Sequence, residues 1–285
     1  MEKKIILSAD GTCDIGEVLR ARYEVHLFNF HILIGNQSFT DGVDVTPDDI
    51  FKAWRERGIL PKTSAVSPED YRSFFSQWNA DEYDIVHLSM CSVMSASCNN
   101  CRLAAEQFAN VYQIETDNVS SGLGLLVVKA GEMIKAGKSA PEIKRDITAM
   151  RNKSKASFVF DTLEFLRAGG RCSSIMMIGA NLLRLKPEVV VDPEKGGVAR
   201  LAKKYRGSLE KVLEEYVRDR LAGRTDIDTS IAFIPHASAS ESDLKLVKNE
   251  MKKYIPFRQV YVTNANCVTA AHGGPRTVGL VFMTK

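Results

Sequence analysis

The chain has 285 residues, 45% of them apolar, with 38 basic and 35 acidic side chains and a net charge of +3. That apolar share excludes general disorder, and the near cancellation of charge excludes a polyelectrolyte built for nucleic acid. The length exceeds one ordinary core and predicts two domains of about 100–150 residues each.

Six cysteines, at 13, 91, 98, 101, 172 and 267, have irregular spacing in a chain too large to need stapling. Reduced thiols are the expectation. The opening Met1-Glu2-Lys3-Lys4-Ile5-Ile6-Leu7 is too short an apolar run for a secretion signal, and Asp10 ends it. No segment approaches the roughly 20 apolar residues of a membrane span. A cytoplasmic protein is expected.

Ile5-Ile6-Leu7 predicts a buried strand, and Ser8-Ala9-Asp10-Gly11 the turn after it. A β-rich stretch follows from Tyr23 to Ile34. Thr46-Pro47 and Ser67-Pro68 each give a hydroxyl cap followed by proline, predicting helices to about Gly58 and Trp78. Strands are predicted at 83–88 and 111–114, and helices at 101–108 and 119–134. Strands alternating with helices imply a parallel sheet covered on both faces. The polar run Arg151-Asn152-Lys153-Ser154-Lys155 marks the candidate domain boundary. Beyond it, strands are predicted at 158–160, 189–191, 197–201, 231–234, 259–263 and 278–283. Helices are predicted at 175–185, 209–221 and 242–254. The alternation is less regular there, and a mixed sheet is expected.

Three polar clusters sit where apolar runs end or break: Lys62-Thr63-Ser64, Ser92 to Ser97, and His272-Gly273-Gly274-Pro275. If they meet, they form a pocket of hydroxyls and one imidazole that can bind an anion without cleaving it. Local readings compete. Thr63 and Ser64 saturate turns, the serines cap a helix, and His272 is a structural hydrogen bonder. Ser92, Ser95 and Ser97, however, stand beyond a strand's carboxyl end, where α/β sheets place ligands. The chain carries no G-x-S-x-G elbow, no G-x-x-x-x-G-K-[ST] loop and no G-x-G-x-x-G loop. Cys98-Asn99-Asn100-Cys101 lacks the second pair that a zinc site needs, leaving packing or a redox pair. No metal and no cofactor are expected. Arg184, Lys186, Arg200 and the run Lys203-Lys204-Tyr205-Arg206 form a basic concentration, read either as a solvated face or as a docking site.

Together these residues resemble the DegV family of bacterial fatty-acid-binding proteins over nearly the whole chain. Residues 9–14 (ADGTCD) resemble its opening T-D-S-T-A-D, and Phe39 to Asp44 its Y-x-D-G-x-D. Pro61 to Pro68 is similar to P-x-T-S-Q-P-S-P. Asp161 to Arg171 is nearly the full family signature, and Leu182 to Pro187 resembles L-L-x-I-K-P. The family's S-S-x-L-S-G-T stands here as Cys91 to Ser97, with Ala96 replacing the glycine. Its H-T-G-P-G stands as His272 to Arg276, with Gly273 replacing a hydroxyl and Arg276 a glycine.

The resemblance implies an α/β fold of two domains, 1–154 and 155–285. The first is an α/β/α domain with a mainly parallel sheet, the second carries a mixed sheet, and the ligand lies between them. It implies a long-chain fatty acid whose carboxylate is held by Thr63 and Ser95 with His272 nearby. Ser64, Ser92, Gly170 and Arg171 would support the pocket. Ile175-Met176-Met177-Ile178 and Leu182-Leu183 would line an adaptable tunnel. Such a protein does no chemistry itself. A fatty acid kinase partner phosphorylates the bound carboxylate, and Arg206 is the candidate for docking or phosphotransfer. A monomer with brief membrane contact and no nucleic acid partner is expected. At about 0.8 kcal/mol per buried methylene, a chain of roughly 16 carbons offers about 12 kcal/mol before ordering costs, so the tail supplies affinity and the head group needs only donors. Two other readings stay open: a serine-dependent acyl hydrolase or transferase using Ser95 and His272, and a binder of another small anionic lipid, for which Arg276 would be the cation.

Overall fold

The computed structural model describes residues 3–176 and 185–285. In chain order it contains β1 (Lys4–Asp10), α1 (Glu17–Arg22), β2 (His26–Phe28), β3 (His31–Ile34), β4 (Gln37–Thr40), α2 (Pro47–Arg57), β5 (Lys62–Thr63), α3 (Pro68–Phe75), β6 (Tyr83–Ser89), α4 (Ser97–Ala105), β7 (Val111–Glu115), α5 (Ser121–Lys135) and α6 (Ala140–Met150). There follow β8 (Ser154–Val159), α7 (Glu164–Gly169), α8 (Ser173–Met176), β9 (Leu185–Asp192), β10 (Val198–Arg206), α9 (Leu209–Leu221), β11 (Ile227–Ala237), α10 (Glu241–Tyr254), β12 (Gln259–Asn264), α11 (Cys267–Gly273) and β13 (Thr277–Thr284).

The first sheet is wholly parallel, in the order β2-β1-β6-β7. The carboxyl halves of β1 and β6 are buried, as strands covered on both faces must be. The chain leaves β1 toward β2 on one side and later returns to pair β6 on the other. That reversal opens a crevice beyond the carboxyl ends of β1 and β6. The second sheet is mixed, in the order β10-β9-β8-β13-β11-β12, antiparallel except for the β11–β12 pair. A small antiparallel sheet, β4-β3-β5, stands beside the crevice.

The α/β architecture with a parallel amino-terminal sheet and a mixed carboxyl-terminal sheet is as the sequence predicts. The two proline-started helices form as read. Thr46 and Ser67 each accept the N–H of the aspartate three residues on, and each aspartate bonds back, a capping box. Other details differ. The helix expected at 101–108 runs Ser97–Ala105, because Ser95 Oγ accepts the Ser97 N–H at 3.2 Å and starts it early. The helix expected at 175–185 begins at Ser173 and is described only to Met176. Leu185 already belongs to β9, paired with Arg206, and the rest of that stretch lies outside the described residues. His272 occupies the last turn of α11, and the backbone turns irregular after it, with φ 78° at Gly274 and 59° at Arg276.

Candidate functional site

The loops after β1, β6 and β7 leave the first sheet toward the second. Asp10, fully buried, organises the β6 loop. Its carboxylate accepts the Tyr71 hydroxyl at 2.8 Å and the Met90 N–H at 2.9 Å, and His87 Nε2 lies 3.3 Å away. Residues 90–97 therefore leave β6 in a fixed direction. Val66 N–H donates to Ser97 Oγ at 3.0 Å, and Asn100 Nδ2 donates to the Val66 carbonyl at 2.6 Å. These bonds tie the segment carrying Thr63 and Ser64 to the start of α4.

Between the two sheets lies a cavity of about 390 Å³, within the ordinary range of ligand sites. Phe158, Phe160, Val189 and Val191 wall it from β8, β9 and the segment after β8. Phe30, Val119 and Val268 contribute from the opposite side. Its polar lining includes Thr63, Ser64, Ser92, Ser95, Arg171 and His272. All three polar clusters thus border one cavity.

Thr63 Oγ1 and His272 Nε2 meet at 3.1 Å, although 209 residues separate them in sequence. Burial pushes the His272 imidazole down to about 4, and the nearby Arg171 guanidinium pushes the same way. The ring is therefore neutral at ordinary pH. Its Nδ1 is buried and has no hydrogen-bond partner among the described residues. It sits against Gly169, whose missing Cβ leaves the room for it. Ser95 Oγ donates to Ser97 Oγ at 2.9 Å. Gly170 takes the left-handed turn that ends α7, with φ 66°, and does not line the cavity. Arg171 reaches from that turn to the Gly169 carbonyl at 2.7 Å and the Met94 carbonyl at 3.4 Å, bridging α7 to the β6 loop.

Several candidates lie elsewhere. Arg206 is exposed at the end of β10 and does not line the cavity. The neighbouring basic run is largely paired: Lys186 with Asp161, Arg200 with Asp192 and Lys203 with Asp219. Arg184 lies outside the described residues, as do the tunnel positions Met177, Ile178, Leu182 and Leu183 and the side chains of Ile175 and Met176. Arg276 corrects an expectation. Its guanidinium donates to Asp243 at 3.0 Å, with Glu210 and Asp161 at 3.5 and 3.9 Å, so it serves the second sheet's helices rather than the cavity. Cys98 and Cys101 are buried in α4, and burial drives both thiols up, Cys98 to about 12. Neither is poised as a thiolate.

The hydrolase reading needs an acid to orient His272, and among the described residues Nδ1 has none. A serine–histidine–aspartate arrangement elsewhere, Ser8–His87–Asp10, is fully buried, where no substrate reaches it. Among the described residues no group of side chains is arranged to hold a metal ion. No described helix is long and apolar enough to cross a membrane.

Sequence reasoning passed over two buried aspartates beside the site. Asp14 accepts Ser120 Oγ at 2.6 Å, Thr269 Oγ1 at 2.9 Å and the Asn266 N–H at 2.8 Å. Burial pushes its carboxyl up to about 7 in spite of those donors, and the charge of Asp41 adds a little. Asp41 accepts the Cys267 and Val268 N–H groups, and burial raises it as well. Only their place in the two aspartate-rich motifs signalled them.

Fold and site define an α/β protein whose two main sheets enclose a mainly apolar cavity, with hydroxyls, a neutral imidazole and one bridging arginine in its polar lining. The chain belongs to the DegV family: the family described as "Uncharacterised protein, DegV family" matches residues 4–285. A DegV domain-containing protein of Clostridium acetobutylicum is 28% identical over 99% of both chains. One from Deinococcus radiodurans is 27% identical over 98% of both. Among solved structures, the chain resembles a DegV family protein from Thermus thermophilus described for its fatty acid binding. The TM-score is 0.86 at 27% identity, covering 99% of this chain and 100% of that one.

Proposed function

We propose that this protein binds a long-chain fatty acid between its two sheets, with the carboxylate at Thr63, Ser95 and His272, and presents that carboxylate to a kinase. One observation carries the reading. The cavity is mostly apolar, yet an imidazole held neutral and a hydroxyl meet in its wall at 3.1 Å. The Thermus relative, described for the same binding, supports it.

The hydrogen bonds suggest how the head group is read. Nδ1 of His272 is buried without an acceptor, and a buried N–H left unpaired is costly and rare. The favoured tautomer carries its proton on Nε2 and donates to Thr63 Oγ1. The threonine proton then points to the cavity, where it serves an acceptor such as a carboxylate oxygen. Ser95 and Ser64 offer further hydroxyls. Neutral donors hold a carboxylate without neutralising it, leaving an oxygen nucleophilic. In the kinase step that oxygen attacks the γ-phosphorus of ATP, the bond to ADP breaks, and an acyl phosphate forms. Arg206, exposed outside the cavity, is proposed for the kinase-facing surface. We assign residues 1–154 and 155–285 to two domains of one monomeric chain.

The test runs palmitate titration and acyl-phosphate formation with a fatty acid kinase on the same delipidated preparation. Palmitate should bind one per chain, and Arg206→Ala should keep that affinity while slowing phosphorylation. Absence of binding by the parent contradicts the reading. Equal phosphorylation of parent and variant removes Arg206 from it. A burst of product from a nitrophenyl ester would point to the acyl-enzyme chemistry set aside above.

A further inference from the structure

His272 is delivered to Thr63 by α11, and α11 has little of its own to fix its place. It is seven residues long, about 10 Å from end to end. Its first turn should leave unsatisfied N–H groups. None is left. Asn266 caps it locally, its Oδ1 accepting the Thr269 N–H at 2.9 Å. The others go to side chains from the far end of the sequence. Asp41 Oδ1 accepts the Cys267 N–H at 2.9 Å and Oδ2 the Val268 N–H at 3.2 Å, 226 and 227 residues away. Asp14 Oδ1 accepts the Asn266 N–H at 2.8 Å, and its Oδ2 takes the Thr269 hydroxyl at 2.9 Å. Both aspartates are 5% exposed, so the bonds compete little with water. Negative charge at a helix amino end is favourable in its own right.

The origin of these aspartates matters. Asp41 follows β4, and its own N–H donates to the Phe30 carbonyl just before β3 at 2.8 Å. β3 pairs on one side with β4 and on the other with β5, where Ile32 stands opposite Thr63. One small sheet therefore carries both Thr63 and the Asp41 anchor. α11 spans from the anchor to the threonine, held by Asp41 at its amino end and meeting Thr63 through His272 at its carboxyl end. Asp14 braces the same turn from the loop after β1, itself steadied by Ser120 of the cavity wall.

We infer that Asp41 and Asp14 are positioning residues for the head-group site: they seat the first turn of α11 and so set His272 at hydrogen-bond distance from Thr63. The inference rests on the proposed fatty-acid reading only for its effect on affinity. The His272–Thr63 registration is independent of any ligand.

The experiment compares Asp41→Ala, Asp41→Asn and Asp14→Asn, each in the parent and in a His272→Ala background, with palmitate affinity as one readout. The second readout is NMR of the ligand-free protein with histidine ring carbons labelled, in which His272 is one of five signals. Asp41→Ala should weaken palmitate about tenfold in the parent and less than about twofold once His272 is gone, because its effect passes through that ring. The asparagine variants, which keep one acceptor oxygen, should lie between. The His272 signal should move in every aspartate variant while that of His26, on β2 beside Trp78, stays put. Equal losses in both backgrounds, or an unmoved His272 signal in folded Asp41→Asn, would overturn the clamp. If palmitate fails to bind the parent, the fatty-acid reading fails, and the NMR comparison still decides the clamp. Should Asp41→Ala not fold, Asp41→Asn and Asp14→Asn carry both readouts.

Discussion

Replacing Gly169 by alanine tests the site through a single methyl group. Gly169 closes α7 and carries no positive φ, so an alanine there suits the backbone and should gain about 0.5–1 kcal/mol of helix propensity. The new Cβ, however, would fall on the His272 imidazole, well inside contact with Nδ1 and 3.1 Å from Cε1 and Cγ. The ring has little room to yield, since its Nε2 is engaged by Thr63 and its Nδ1 edge is buried. Either the imidazole shifts or α7 does, and a displacement of half an ångström stretches the 3.1 Å contact beyond useful hydrogen-bond length. Losing that bond costs about 1–1.5 kcal/mol at the head group, close to a tenfold loss of affinity. Gly170→Ala is the control. Its Cβ meets nothing within 4 Å, but the residue sits at φ +66°, so about 1 kcal/mol of stability should go with affinity unchanged. Calorimetric binding of palmitate and thermal melts on both variants check this. Gly169→Ala binding like the parent, with an unmoved His272 NMR signal, would refute the packing argument.

Thr63→Val and Ser95→Ala should each weaken fatty acid binding by about 1–3 kcal/mol and leave the fold intact, measured by titration beside circular dichroism. Parental affinity in both folded variants would return these hydroxyls to turn and cap duty. Stability should depend on pH with two opposed contributions. The folded-state value of His272, about 4, lies below its ordinary 6.5, so its contribution is complete above about 6.5 and is lost as pH falls toward 4, by at most ~3 kcal/mol. That of Asp14, about 7, lies above its ordinary 3.8, so its contribution is present below 3.8 and is lost as pH rises through 7. Denaturant melts across that range should show His272→Gln gaining on the parent toward acid and Asp14→Asn gaining toward neutrality. Parallel curves for all three proteins would contradict both assignments.

What the sequence discloses here is what neighbours in sequence decide. The helices after Thr46 and Ser67 announce themselves because cap, proline and returning aspartate lie within four residues. α6 carries the same kind of signal in Ser139-Ala140-Pro141-Glu142, and its capping box forms, so this helix too is legible in sequence. α11 is different. Cys-Val-Thr-Ala-Ala-His-Gly has weak helix propensity, and the groups that satisfy its first turn come from Asp41 and Asp14, more than 220 residues earlier. Its local mark is a single capping asparagine, Asn266, with no proline and no returning acid behind it. The site divides in the same way. Thr63, Ser95 and His272 stand out in sequence as polar residue types where apolar runs end or break. Their meeting at one cavity depends on how the second sheet stacks beyond the first, which no short window contains. Two of the basic side chains show the converse: Lys203 and Arg200 look free in sequence, yet Lys203 meets Asp219 of α9 and Arg200 meets Asp192 of the paired strand β9.

The central claim is that the cavity between the sheets holds a fatty acid, and the most direct measurement asks what the protein carries. Purified protein is washed, denatured in organic solvent and extracted, and the released small molecules are weighed by mass spectrometry against the amount of chain. The account predicts a long-chain fatty acid approaching one per chain in the parent, and a clearly lower yield from folded Thr63→Val. Protein that releases no lipid, and takes up none when palmitate is added to the delipidated chain, would contradict it.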